Sequence, residues 1–188
     1  MEQLTALIRA FRPGCPQEER DRAELLRRLN SGEDLLGRDN LSAHLTASAW
    51  VTTPQRDRVL LAHHNLYNSW AWLGGHADGS ADLARVALRE VREESGLTRL
   101  RLVSPEVYSL EILAVAGHEK RGEYVPSHLH LNVTFLVEAD PEEPLQVKAD
   151  ENSRLAWFSP EEAVRASAEP WFRERIYPKL NRRLTAFP

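Results

Sequence analysis

From Ala81 to Glu94 the chain contains no glycine or proline, while glycines crowd both ends: Gly74-Gly75 and Gly79 before the run, Gly96 after it. Ala, Leu, Arg and Glu dominate the run and lose little conformational entropy in a helix. The segment therefore predicts a helix with abrupt ends. Ala84, Ala87, Leu88 and Val91 recur at three- and four-residue intervals and give it one apolar stripe to bury. Gly96 can take the left-handed conformation that closes a helix, and Gly74-Gly75 with Asp78-Gly79 predict a tight loop at its start.

Glu90, Glu93 and Glu94 stand at i, i+3 and i+4 beside the stripe, with Arg85, Arg89 and Arg92 toward the other flank. Three carboxylates on one face repel one another. Near the C-terminal end of a helix they also oppose the macrodipole, each by roughly 0.3–1 kcal/mol. A bound cation offsets both costs, and Mg2+ fits because it takes hard oxygen ligands and commonly pairs one or two carboxylates with substrate phosphates. A bare glycine backbone before the helix can approach a phosphate or lend a carbonyl to the metal.

The stretch Gly75 to Leu97, GHADGSADLARVALREVREESGL, resembles the signature of the Nudix hydrolases. Gly75 and Arg89-Glu90-Val91-Arg92-Glu93-Glu94-Ser95-Gly96-Leu97 stand in register with it. Ala81 occupies the place of its first glutamate, with Asp82 next to it, and Leu73 stands where relatives often have proline. The Gly74-Gly75-His76-Ala77-Asp78-Gly79 loop looks like that of one subgroup. The resemblance covers roughly residues 43–166 and implies an α/β fold: a Nudix-like α/β/α sandwich with a central mixed sheet. It further implies a hydrolase that cleaves a diphosphate linkage in a nucleoside diphosphate linked to another moiety.

Carried onto this chain, the resemblance implies that Glu90 and Glu94 ligate Mg2+, with Mn2+ as a substitute. Glu93 joins them as ligand or water-orienting group, Gly75 lends its carbonyl, and Arg89 holds the carboxylates in place. Gly74, Gly75 and His76 are the candidate substrate-binding residues. The general base stays open among Glu90, Glu93, Glu123 and Glu151. Two other readings stand beside hydrolysis: a non-catalytic module that binds a nucleotide or pyrophosphate metabolite, and an isopentenyl-diphosphate isomerase-like enzyme. The intact glutamates disfavour the first, and Cys15, the sole cysteine and far upstream of the box, disfavours the second.

The remaining sequence supplies the frame. A chain of 188 residues, 42% hydrophobic, can bury one sizeable core. Residues 1–42 read as an N-terminal helical extension: Met1 to about Phe11, a break at Pro13, then a helix over 16–30. It is a packed cap or dimerisation arm in one reading and a lid in another, so a homodimer stays open. Strands are expected over 44–52, 57–63, 98–105 and 108–117. Another follows at Leu129–Val137, where apolar residues alternate with His130, Asn132 and Thr134 and predict one buried face. Helices near 160–166 and 169–183 follow, so 43–166 is the expected core and 167–188 a C-terminal helix packed on it.

A net charge of −4 argues against a stable nucleic-acid complex and leaves a small nucleotide-like diphosphate as the partner. With no long apolar segment or secretory leader, no membrane association and a cytoplasmic location are expected. His63 and His64 should point to opposite faces of their strand. His128 and His130 share a face, but two histidines without a third ligand do not define zinc. Tyr108, Tyr124, Trp70, Trp72 and Phe135 are candidates to stack on a base, Phe135 being the one whose periodicity points inward.

Overall fold

Two long strands lie side by side at the centre, and both are buried along nearly their whole length. The computed structural model describes residues 1–120, 122–150 and 152–187. In it β1 (Ala43–Thr52) pairs in parallel with β9 (His128–Ala139), from Ala43 opposite Leu129 to Thr52 opposite Glu138. One face of the pair is apolar. Leu45, Ala47, Ala49 and Val51 meet Leu131, Val133, Phe135 and Val137 there, under the helix α3 (Leu83–Ser95). The small alanines of β1 let α3 come close, and its Val86, Ala87 and Val91 complete this core. Each large side chain fully buried there contributes about 1.5–3 kcal/mol.

The sheet grows outward by antiparallel pairing. β2 (Val59–His64) joins β1 at its far end, β10 (Asn152–Phe158) adds to β2, and β5 (Leu100–Leu102) and β6 (Ser109–Val115) share β9. β3 (Ser69–Ala71) pairs with β2, and β4 (Leu73–His76) pairs with β1. Among the described residues this makes a mixed sheet of eight strands, with β7 (His118–Lys120) and β8 (Glu123–Val125) forming a separate hairpin. Helices lie on either side, so the expected layered α/β fold is what the chain adopts.

The N-terminal helices α1 (Glu2–Ala10) and α2 (Pro16–Leu29) form at the expected places. On α2, Asp21 accepts from the Ile112 N–H at 2.9 Å and Gln17 donates to the Leu110 carbonyl at 3.1 Å. Side chains of α2 thus satisfy backbone groups of β6 that have no further strand to pair with, a device that blunts a sheet edge. At the other end of the chain, α4 (Pro160–Ala166) is followed by a π-helical turn, Phe172–Ile176, running directly into α5 (Tyr177–Leu184). Ile176, Tyr177 and Leu180 pack on Trp50, Leu61 and Leu136 from the sheet face opposite α3. No helix of the described residues is long and apolar enough to cross a membrane.

Two local expectations change. Gly74-Gly75 is strand rather than loop, pairing with Ser48 and Ala47. Glycine is needed there because neighbours press from both sides: a Cβ on Gly74 would lie 2.6 Å from the Ala47 carbonyl oxygen, and one on Gly75 would lie 2.5 Å from the Glu90 carboxylate. Nor does β9 have only one buried face. Asn132 and Thr134, on its second face, are as buried as Val133 and Phe135, because a polar layer closes over them.

Hydrogen bonds run unbroken through that layer. Thr46 and Ser48 donate to the Asn132 side-chain oxygen at 3.0 and 2.8 Å, and Asn132 donates to Glu111 at 3.2 Å. Glu111 pairs with Lys179 at 2.7 Å, Lys179 lies 3.3 Å from Glu18, and Glu18 pairs with Arg183 at 3.0 Å. The N-terminal extension, the sheet and α5 are joined by these buried charges.

Candidate functional site

Sequence places three glutamates on α3; the fold sorts them. Asp82 caps the helix by accepting from the Arg85 N–H at 3.1 Å, and Gly96 ends it at φ 73°. Asp82 is therefore committed to the helix terminus, and Ala81 supplies no carboxylate at the missing box position. Along the last turns Glu90 and Glu94 point toward β4 and are only 8% and 5% exposed. Glu93 faces outward with its side chain 48% exposed, 3.7 Å from Arg89 and 3.9 Å from Lys148.

The two buried carboxylates are held from several elements. Glu94 accepts from the Gly74 N–H at 2.9 Å and from the Asn152 side-chain amide at 3.0 Å, so β4 and β10 both fix it. Glu90 accepts from Arg89 at 2.6 Å, and the same guanidinium donates to the His76 carbonyl at 3.2 Å. The hydrogen bond to Glu90 holds Arg89 above the usual guanidinium range. Arg89 thus clamps the helix to the end of β4. Gly75 lies against the Glu90 carboxylate, where no side chain would fit.

This set of groups suits a hard divalent cation. Two buried carboxylates meet beside a bare glycine backbone, and the side-chain oxygen of Asn152, itself 1% exposed, has no hydrogen-bond partner among the described residues. A buried acceptor left without a donor costs about 1–3 kcal/mol, which an electrophile in the site would offset. Asn152 is a site residue that no spacing along the chain could reveal, since it lies on a strand 58 residues from Glu94. Glu151, the loop carboxylate named as a candidate base, lies outside the described residues. Glu123 falls on β8, in the separate hairpin.

The aromatic candidates divide clearly. Phe135 and Tyr108 are fully buried, and Tyr108 hydrogen-bonds the Leu180 carbonyl and packs on Phe187, so neither can stack on a base. Trp72 packs against Phe172 and Tyr177, Trp70 meets Phe158 edge-on with Arg154 over its ring, and Tyr124 is exposed. His76 alternates with Gly75 and so faces away from α3, toward His44 and His130, whose rings lie 5.0 and 4.9 Å away.

Fold and site together define a class: an α/β/α enzyme fold whose central helix sets clustered carboxylates against a glycine strand. The sequence matches the NUDIX domain over residues 42–180. The chain belongs to the Nudix hydrolase family, enzymes that generally use divalent metal ions. Among solved structures it is similar to the Ap4A hydrolase of C. elegans in a binary complex, at 20% identity and a TM-score of 0.55, covering 76% of this chain and 96% of that one. The Nudix hydrolase RenU of M. smegmatis is similar at 18% identity and 0.55, covering 77% and 88%. A NUDIX hydrolase from Nitrosomonas europaea is similar at 19% and 0.52, covering 76% and 88%. At such identities these likenesses speak for the fold alone. No curated protein matches the sequence.

Proposed function

We propose that the chain hydrolyses a diphosphate linkage in a nucleoside diphosphate linked to another moiety, in a reaction that depends on Mg2+. The observation that carries this reading is the burial of Glu90 and Glu94 side by side against β4. Mg2+, or Mn2+ in its place, would be held by Glu90 and Glu94 with Glu93 and the Gly75 carbonyl, and when bound supplies charge neutralisation at the phosphoryl oxygens and a more acidic water.

The protein's own part is to fix these groups in advance. Gly74 and Asn152 hold Glu94 so that its oxygens need not reorganise during the reaction. Arg89 orients Glu90 and ties it to the His76 carbonyl. Glu93, on the solvent side, is free of the backbone clamp and suited to orient a water near the reacting phosphorus. Gly74 and Gly75, with the backbone of His76, line the approach for the diphosphate, whereas the His76 ring is turned to the opposite face of the sheet. In this reading residues 43–166 carry the chemistry, 1–42 cap the β6 edge, and 167–188 close the face opposite α3.

A panel of ADP-ribose, dinucleoside polyphosphates, nucleoside triphosphates, NADH and coenzyme A, assayed with and without Mg2+, tests the proposal. Metal-dependent release of phosphate or nucleotide from at least one of them, lost in Glu94→Gln, is the expected result. Tight binding with no turnover across the panel would replace hydrolysis with a binding module.

A further inference from the structure

Behind β4 lies a second cluster of potential ligands. His44 comes from β1, His76 from β4 and His130 from β9, and His44 and His130 are opposite one another in the parallel register. One ligand atom from each of the three lies within 4.8 Å of those of the other two. The ring centres of His44 and His130 are 5.2 Å apart. The residues are 32 and 54 positions apart along the chain, so only sheet pairing brings them together.

Local hydrogen bonds select the free nitrogens. In neutral His44, Nδ1 at 3.2 Å from the Asn40 carbonyl must carry the proton, which leaves Nε2 with the lone pair. That Nε2 is buried without a hydrogen-bond partner among the described residues, and His44 as a whole is 5% exposed. His128 acts on His130 in a similar way. Its Nδ1 donates to the Pro126 carbonyl at 2.8 Å, so its Nε2 accepts from His130 Nε2 at 3.1 Å and leaves His130 Nδ1 as the lone-pair atom. Imidazoles whose second nitrogen is fixed by a carbonyl or another ring are the usual construction around a metal. The cationic neighbour Arg38 is neutralised by a two-point pair with Asp78, both bonds 2.6 Å.

We propose that His44, His76 and His130 bind a late first-row divalent metal ion, Zn2+ foremost, at a site separate from the carboxylates of α3. Three imidazoles with a fourth position open are the donor set such ions take, whereas Mg2+ prefers oxygen. Nitrogens on one tetrahedral Zn2+ lie about 3.3 Å apart, given Zn–N bonds of about 2.0–2.1 Å, against separations of up to 4.8 Å here, so the rings close in on the ion when it binds. Gly75 faces Glu90 and the adjacent His76 faces the histidines, so β4 separates a hard site from a softer one. Burial and the neighbouring imidazoles push His130 down to about 2 and lower His44 as well, which keeps both rings neutral. The proposal does not rest on the hydrolytic reading.

The full chain, stripped with a chelator and kept in excess Mg2+ to fill oxygen sites, is titrated with Co2+ and then Zn2+. One Co2+ per chain with the visible absorption of a nitrogen-ligated tetrahedral ion, displaced by Zn2+, is expected, together with a Zn2+-dependent rise in Tm. His44→Ala and His130→Gln should each weaken Zn2+ binding by more than about 100-fold, since loss of an outer-shell partner alone costs about 10–100-fold. Glu94→Gln should retain that binding whether or not any diphosphate is hydrolysed. Failure of the folded wild-type chain to take up Co2+ or Zn2+ under Mg2+ would overturn the proposal even if a variant does not fold. So would binding that survives both histidine changes but is lost in Glu94→Gln.

Discussion

Adjacent residues of β4 serve opposite faces of the sheet, and the two faces are built by different rules. On the α3 side, Glu90 and Glu94 come from one helix turn, and Gly74, Gly75 and Arg89 lie within the same short stretch of chain. On the other side, His44, His76 and His130 come from three strands, and the polar layer next to them joins α2, β1, β6, β9 and α5. The first region is local in sequence and the second is local only in space. A helix guarantees its own i, i+4 geometry, whereas a site spread over a sheet depends on strand register, so the second region should be the more sensitive to changes in the fold as a whole.

The largest expected effect separates the regions by function. Glu94→Gln keeps the side chain's size and shape but removes the charge and one of its two acceptor oxygens, the new NH2 being met by the Asn152 oxygen if that amide turns over. Hydrolysis should fall roughly 1,000-fold, the equivalent of about 4 kcal/mol of transition-state stabilisation. The melting temperature should move little. Steady-state rates and thermal unfolding on the same preparations check this, and a rate within a few-fold of wild type would remove Glu94 from the site.

Next comes the polar layer. Lys179→Met leaves Glu18 and Glu111 buried without their shared cation, and unfolding in urea should show a loss of about 3–5 kcal/mol. A loss under about 1 kcal/mol would mean that Arg183 and the hydrogen bonds suffice to hold those carboxylates.

The glycines divide the two kinds of damage. At Gly74 a methyl would press on the backbone of β1, and at Gly75 on the end of Glu90. Gly74→Ala should therefore cost more stability, about 1–3 kcal/mol, while Gly75→Ala should cost more activity per unit of stability lost. Equal ratios of lost activity to lost stability in the two variants would argue against a carboxylate site ordered around Gly75.

The smallest effect is one of pH. Folded His130 is held far below the ordinary imidazole value of 6.5 by burial and by its histidine neighbours, so below that value the unfolded chain takes up protons first. In chelator, stability is whole above about pH 6.5 and falls as the pH drops, with a slope of up to about 1.4 kcal/mol per pH unit for this residue. His130→Gln should flatten the slope between about pH 6.5 and 5; an unchanged slope would show that the ring is not shielded as described.

Several elements are legible in the order of residues alone. The α3 helix, its capping glycine and its buried stripe follow from residue spacing, and the N-terminal helices and the central strands stand close to where their periodicity puts them. The Gly74-Gly75 pair shows where such reasoning stops. Two glycines suggest a turn, yet here they form a strand because backbone and carboxylate crowd both sides of it. Tyr108 likewise has the chemistry of a stacking residue, but the fold buries it against α5.

By itself the sequence determined the family, the helix and the carboxylate spacing, because those depend on contacts within a few residues that helix geometry fixes in advance. Only the tertiary structure decided that Glu90 and Glu94 are buried while Glu93 faces solvent, that Asn152 reaches Glu94, and that four histidines from three strands share one corner of the sheet. The physical reason is register: a strand states which residues share a face, but not which other strand will lie beside it or at what offset.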